Sequence, residues 1–402
     1  MMIPEEILRS LVIQTDSKLV MVVIDGLGGL PVRGKTELEG AKIPNLDRLA
    51  SLSSCGLIDP IADGITPGSG PSHLALFGYD PFQYEIGRGV MEALGIGLKL
   101  TKDDLTARGN FATIDQEGRI IDRRAGRIPT EKNEEICRFL QKEIKGVQGV
   151  QISIYPGIEH RFVIVFRGEG LRDDLTDADP QKDGLKAKET EGLSSEAEKT
   201  SAIVNEYIKK ATEVLKPFRP ANTILLRGFS KVPDIPSMTE RFKLRPAAIA
   251  TYPMYRGLAR LVGMEILDSG ETYREEVETL KSHFDQHDFF YIHFKKTDSA
   301  GEDGNFRAKV KALEEIDRVI PSIFKSKPDV LVVTGDHSTP ALLKSHSWHP
   351  NPILLYSKYI RPDGIRRLTE RQCQKGQLGR FQAVNVLPLM LANGLKLKKF
   401  GA

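Results

Sequence analysis

The run Val330-Leu331-Val332-Val333-Thr334-Gly335-Asp336-His337-Ser338-Thr339-Pro340 decides the fold. Its first four residues are aliphatic without a polar interruption, the pattern of a strand buried on both faces of a parallel sheet. The strand ends in Thr-Gly, and Asp336 and His337 follow at once. A carboxylate oxygen beside an imidazole nitrogen is a ligand pair for zinc- or manganese-type ions. Nine residues after His337 another histidine, His346, stands in Lys344-Ser345-His346-Ser347. An isolated Asp-His pair can equally be a loop with a capping acid and a surface imidazole, so the rest of the chain decides between the two.

Two further stretches have the same shape. Leu19-Val20-Met21-Val22-Val23-Ile24 ends in Asp25-Gly26, and Asp288-Phe289-Phe290-Tyr291-Ile292-His293-Phe294 runs into Lys295-Lys296-Thr297-Asp298. In open parallel α/β sheets, sites form outside the carboxyl ends of the strands. Strands far apart in sequence can therefore deliver Asp25, Asp298 and Asp336 to one edge. Three carboxylates there raise each other's pKa, and bound divalent cations remove that conflict. With His337, His346 and Glu302 the set is large enough for two ions, which can clamp the attacking and leaving oxygens of a phosphoryl transfer. The glycines of Gly26-Leu27-Gly28-Gly29 do not fit the G-x-G-x-x-G spacing, and Asp25 would repel a pyrophosphate, so a dinucleotide site is disfavoured.

A hydroxyl completes the set. In Thr66-Pro67-Gly68-Ser69-Gly70-Pro71-Ser72-His73, proline and glycine mark a loop, and the apolar-rich 72–77 reads as a helix beginning just after it. Ser69 thus sits where backbone N–H groups and the helix dipole favour an anion. It is either an N-cap or a nucleophile whose alkoxide is stabilised by that field and by a metal. Ser72 fits the capping role better, and His73 either orients the loop or is structural.

Composition sets the frame. A chain of 402 residues exceeds one ordinary domain, and a formal charge of +3 gives no overall case for nucleic acid or membrane binding. Cys55, Cys137 and Cys373 lie far apart and form no CxxC pair, which fits a reducing, cytoplasmic setting. The N-terminus reads as a short amphipathic helix without the features of a signal peptide, and no apolar run approaches a membrane span. Oligomeric state is left open.

The α/β pattern covers 1–87 and resumes over 239–402, with a helix at Pro44, strands at 56–59, 246–250 and 352–356, and helices at 254–261 and 308–320. Between them, 88–238 has a different character: glycines around Arg88 and Ile96 break the pattern. Short strands are expected over 105–113, 119–127, 150–154, 161–166 and 222–228, with helices over 131–143 and 203–215 and a polar loop over 181–200. The expectation is therefore a mainly parallel α/β sheet flanked by helices, with an inserted smaller α+β domain.

Taken together, Val23-Ile24-Asp25-Gly26, Pro67-Gly68-Ser69-Gly70 with His73-Leu74-Ala75-Leu76-Phe77-Gly78-Tyr79-Asp80-Pro81, Arg124-Ala125-Gly126-Arg127-Ile128, Thr176-Asp177-Ala178-Asp179-Pro180, Tyr255-Arg256-Gly257-Leu258-Ala259, Lys296-Thr297-Asp298 and Thr334 to Pro340 with Lys344-Ser345-His346-Ser347 resemble the alkaline phosphatase superfamily. More narrowly, the chain resembles the archaeal-type cofactor-independent phosphoglycerate mutases. That resemblance implies metal-dependent interconversion of 3-phosphoglycerate and 2-phosphoglycerate through a phosphoserine on Ser69, without bisphosphoglycerate. It implies two divalent ions (manganese, zinc, cobalt or magnesium), one held by Asp25, Ser69, Asp336 and His337, the other by Asp298, position 302 and His346. Glu302 departs from the histidine common in relatives; a carboxylate tilts the preference towards manganese or magnesium, and Asp303 is an alternative ligand. His349 is placed as structural or supporting. The insert would close over the substrate, with Arg108, Arg124, Arg127, Arg161 and Arg227 as candidate contacts for its carboxylate and phosphate, each equally able to be a surface ion pair. Lys296 is a further phosphate candidate. The competing expectation is a metal-dependent phosphatase, phosphodiesterase or other phosphotransferase of the same superfamily.

Overall fold

The structure is a computed structural model that describes residues 3–401. The chain divides into two compact units, one comprising the segment up to Glu85 together with the chain from Ile235 onward, the other Ile86–Asp234. In chain order the first unit opens with β1 (Leu19–Ile24) and β2 (Ser54–Asp59). The second unit holds β3 (Asp104–Ile114), β4 (Ile120–Asp122), β5 (Gly146–Val147), β6 (Val150–Pro156), β7 (Arg161–Arg167) and β8 (Thr223–Lys231). The first unit then resumes with β9 (Pro246–Ile249), β10 (Glu265–Ile266), β11 (Phe289–Phe294), β12 (Val330–Thr334), β13 (Asn351–Ser357) and β14 (Gly379–Gln382).

The first unit's eight strands form one sheet in the order β10-β9-β11-β1-β12-β13-β2-β14. Only β13 runs against its neighbours. The three apolar runs are adjacent: β1 pairs in parallel with β11, matching Ile24 to Phe294, and with β12, matching Val23 to Thr334. All residues of β1, β11 and β12 are buried, as continuous aliphatic and aromatic strands require. Val20, Val22 and Ile24 pack with Leu46, Leu49, Leu313 and Ile316 from helices on one face. On the opposite face Phe77 meets Tyr291 edge to face at 4.9 Å. Each such fully buried side chain contributes about 1.5–3 kcal/mol, so this layer fixes the strand ends firmly. Among the described residues no helix is long and apolar enough to cross a membrane.

The second unit is built on an antiparallel sheet, β4-β3-β7-β6-β5 with β8 paired to β3. Helices Thr130–Glu143 and Glu198–Leu215 contribute Ile136, Leu140, Ile203 and Tyr207 to its core. Two expectations fail here. The glycines near Arg88 do not break structure: Arg88–Gly95 is a helix. The expected strand at 119–127 is only Ile120–Asp122, because Asp122 accepts from the amides of Arg124 and Gly126 and turns the chain into a 3-10 segment, Ala125–Arg127.

Candidate metal and phosphoryl-transfer site

Because β11, β1 and β12 are neighbours, their carboxyl ends bring three acids to one edge. Asp25 follows β1 directly, Asp336 lies just beyond β12, and Asp298 sits in the helix Lys296–Glu302 after β11. All three are buried. Gly26 makes the crowding feasible: its φ is +67°, and a Cβ there would lie 2.9 Å from Asp298 Cα. Its amide donates to Asp336 Oδ1 at 3.1 Å.

His337 stands at the centre. Its Nε2 lies 3.1 Å from Asp336 Oδ2, 3.4 Å from Asp25 Oδ1 and 3.2 Å from Ser69 Oγ. Its tautomer follows from its other nitrogen. Thr339 Oγ1 gives its single proton to Asp298 Oδ1 at 2.7 Å, so it can only accept from His337 Nδ1 at 2.9 Å. The neutral ring therefore presents an unprotonated Nε2 to two carboxylates and the serine. His346 repeats the device. Its Nδ1 donates to Pro67 O at 2.9 Å, and its Nε2 faces Asp298 Oδ1 at 3.6 Å and Glu302 Oε1 at 3.8 Å. The two imidazoles stack at 3.6 Å between centroids. Two groups of side chains thus converge, Asp25–Asp336–His337 and Asp298–His337–His346, each with ligand atoms within 4.8 Å of one another. His337 belongs to both.

The electrostatics show what is missing. Burial lowers the His337 imidazole, but Asp336, Asp25 and Asp298 outweigh it and raise the group to about 9. Burial raises Asp25, yet His293, Lys295 and His337 hold its carboxyl well below the usual range. Asp25 Oδ1 and Asp336 Oδ2 are buried without a hydrogen-bond partner among the described residues. A divalent cation would replace the proton that these carboxylates hold on His337 and give the two buried oxygens a partner.

Ser69 is the first residue of the helix Ser69–Leu76, with Gly68 in the extended N-cap position. It is neither the N-cap nor preceding the helix as expected, and it is only partly buried. Ser72 does not cap: it lies inside the helix and donates back to Gly68 O at 2.9 Å and Ser69 O at 3.1 Å. His73 donates from Nδ1 to Ser69 O at 2.8 Å, and burial pushes it down to about 4.

Lys296 is a correction. The helix starting at that residue turns its ammonium outward, 4.9 Å over the Tyr273 ring and 4.0 Å from Glu315. The adjacent Lys295 instead reaches Asp25 Oδ2 at 3.0 Å and Asp298 Oδ2 at 2.5 Å. Sequence reasoning also missed Tyr255, whose hydroxyl donates to Asp25, and His293, whose Nε2 is 3.2 Å from the same carboxylate. A Tyr255 within the quoted Tyr-Arg-Gly-Leu-Ala run was the available signal. Glu302 is about half exposed, while Asp303 caps the helix end. His349 pairs with Ser347 Oγ at 3.1 Å and stacks on Trp348.

The second unit holds a contrasting cluster. Arg108 on β3 lies opposite Arg227 on β8. Arg108 is 3% exposed, and its Nε and Nη1, with Nε of Arg227, are buried without a hydrogen-bond partner among the described residues. One ion pair offsets this, Arg108 Nη1 to Glu92 at 3.1 Å. Burial, then Arg88, Arg227 and Arg161, outweigh Glu92 and press Arg108 down to about 10. Arg124, Arg127 and Arg161 are exposed. Arg123, not anticipated, forms a bidentate pair with Asp179 at 2.9 and 2.6 Å.

Comparison with known proteins places these features. A family profile described as 2,3-bisphosphoglycerate-independent phosphoglycerate mutase matches residues 50–219. A Thermotoga neapolitana protein named as a probable enzyme of that kind is 54% identical over 398 residues, spanning 99% of each chain. A Thermus thermophilus relative with the same name is 51% identical over 401 residues, covering 98% of this chain and 99% of its own. Among solved structures, a Pyrococcus horikoshii protein superposes with a TM-score of 0.83 at 31% identity, covering 97% of this chain and all of that one. The cofactor-independent phosphoglycerate mutase of Thermoplasma acidophilum gives 0.71 at 30% identity, covering 94% of this chain and all of that one.

Proposed function

Because the chain belongs to the 2,3-bisphosphoglycerate-independent phosphoglycerate mutase family, we propose that it interconverts 3-phosphoglycerate and 2-phosphoglycerate through a phosphoserine at Ser69. Two divalent cations would be held by Asp25, Ser69, Asp336 and His337 and by Asp298, His346 and Glu302. When bound, they supply positive charge that lowers the serine's proton affinity and offsets charge on the transferring phosphoryl oxygens. Glu302 in place of an imidazole favours manganese or magnesium over zinc.

The chain's own groups do the rest. Ser69 Oγ bonds to phosphorus as the bond to the glycerate O3 breaks, and the serine proton is balanced by the one O3 gains. The glycerate O2 then attacks the same phosphorus as the bond from Ser69 Oγ to phosphorus breaks, and the proton O2 loses is balanced by the one Ser69 Oγ regains. Lys295 steadies Asp25 and Asp298 and offers an ammonium close to the reacting phosphoryl group. His337 is held with Nε2 towards Ser69 by Thr339. The substrate carboxylate requires cations, and we assign it to the guanidinium cluster, with Arg108 and Arg227 as principal members and Arg161 and Arg124 as further ones. Arg127, exposed like Arg124 and Arg161, is the fifth candidate.

The observation that carries this reading is Ser69 Oγ at 3.2 Å from His337 Nε2, beside two buried, unpaired carboxylate oxygens. The test is incubation of the full chain with 3-phosphoglycerate and manganese, without bisphosphoglycerate. 2-Phosphoglycerate should accumulate, and Ser69→Ala should lose at least about 10³-fold in kcat. Release of free phosphate in its place would make the protein a hydrolase of the same superfamily.

A further inference from the structure

Lys309, in the helix Phe306–Asp317, is an ammonium with no solvent exposure that touches none of the converging ligand atoms. Its Nζ donates to Gly28 O at 2.9 Å and to Thr339 O at 2.8 Å. Those carbonyls belong to the two loops that carry ligands, one following β1 and one following β12. The loops meet again where Thr339 N donates to Gly28 O at 3.2 Å. Thr339 is also the residue whose hydroxyl fixes both His337 and Asp298.

Glu37 and Glu370 supply counter-charge to the ammonium, but neither forms an ion pair with it among the described residues. Glu37 Oε1 accepts from Ala341 N at 2.8 Å, and Glu370 accepts from Gly29 N at 3.0 Å and Thr36 Oγ1 at 2.7 Å. Burying an ammonium costs several kcal/mol even after relaxation, and an apolar side chain of similar length would avoid that cost. What Lys309 does that such a side chain cannot is bind two carbonyls from separate loops at once.

We propose that Lys309 is a positioning residue for the cation site: it clamps the Gly28 and Thr339 carbonyls and so holds Asp25, Asp336, His337 and Asp298 in ligating register. This rests on the two-cation reading given above. Loss of the clamp frees Thr339, and with it the orientation of the His337 ring. A group that supports ligands in this indirect way typically changes metal affinity about 10–100-fold when removed.

The test uses the metal-free full-length protein, titrated with manganese chloride by calorimetry. Lys309→Met should bind manganese at least about tenfold more weakly, and Lys309→Gln, which keeps an NH2 donor group but on a shorter, uncharged side chain, should fall between it and the unaltered protein. The control is Lys396→Met. Lys396 is equally buried, with Nζ 2.7 Å from Thr15 O and 3.9 Å from Asp288, which precedes β11 at the opposite ends of the strands. It should lose thermal stability but keep manganese affinity. Affinity equal to the unaltered protein in whichever Lys309 variant folds would overturn the clamp. No manganese uptake by the unaltered protein would overturn the two-cation reading instead.

Discussion

The two units carry opposite electrostatic imbalances. At the carboxyl edge of the first unit's sheet, three acids are buried together, two of their oxygens lack a hydrogen-bond partner among the described residues, and a histidine is raised to about 9. In the second unit, arginines crowd one another, and His160, buried beside Arg161, Arg124 and Arg108, is pushed down to about 4. Burial lowers both imidazoles, but the carboxylates around His337 reverse it, whereas the arginines around His160 add to it. Neither arrangement is one that folding alone would favour, since like charges held together out of water cost stability. The first asks for cations and the second for an anion.

The comparison breaks most sharply at Arg108. Its replacement by methionine removes a buried, largely unpaired charge while keeping most of the volume. The second unit should become more stable, with a higher Tm, because the repulsion with Arg227 is relieved. Activity should move the other way: KM for 3-phosphoglycerate should rise about 10–100-fold, as expected for losing a charge-assisted contact of about 1.5–3 kcal/mol. Steady-state kinetics and a melting curve read the two together. Unchanged KM with raised Tm would leave the cluster as an unexplained strain.

Much of the first imbalance could be read from residues alone, and the reason is physical. A strand buried on both faces has to be continuously apolar, so β1, β11 and β12 stand out, and the sheet then places their ends side by side. Asp25, Asp298 and Asp336 follow without knowledge of any side-chain contact. The choice between Lys295 and Lys296 could not be made this way, because the exact start of a helix fixes which of two neighbouring lysines faces inward. Ser72 was misjudged for a related reason: the helix opens at Ser69, which moves Ser72 into its first turn. The second unit was less legible. Gly89 resembles a breaker in sequence, yet it lies within a helix because a Cβ there would lie 2.7 Å from the Thr106 backbone. Glycine there serves close packing, a pairwise fact invisible in a single segment. Arg123 escaped notice because its partner Asp179 stands far along the chain, and Arg88 because it opens a helix whose nearness to Arg108 and Arg227 no single segment shows.

A pH titration sharpens the contrast at smaller amplitude. His160 has a folded value of about 4 against an ordinary 6.5. Between those values the unfolded chain binds a proton that the folded chain does not, so stability rises with pH from about 4 to 6.5. Its contribution is present above 6.5 and lost as pH falls through 4. His337 has the reverse sign in metal-free protein: raised to about 9, it adds stability below 6.5 that disappears as pH climbs through 9. His160→Gln should flatten the acid limb of Tm against pH by an amount on the order of 1–3 kcal/mol, leaving the alkaline limb alone. Manganese should flatten the alkaline limb, because bound metal replaces the proton on His337. An acid limb unmoved by His160→Gln would mean that burial and the neighbouring arginines do not lower that imidazole.

The smallest expected effect lies at Glu302, where the two kinds of imbalance can be separated by a single carboxylate. It is about half exposed and 3.8 Å from His346 Nε2, so water screens it more than any other proposed ligand. A screened ligand contributes little affinity but still sets chemical preference, because a hard oxygen and a borderline imidazole nitrogen rank metals differently. Glu302→Gln should weaken manganese binding only a few-fold, well below the about 10–100-fold of a supporting change deep in the site. Glu302→His should leave total affinity similar and shift activity from manganese towards zinc or cobalt. Competition titrations with the three metals on both variants separate ligation from simple charge: if Glu302→Gln and Glu302→His weaken manganese equally and neither alters the metal order, the carboxylate acts through its field alone, and Asp298 and His346 hold the second ion without it.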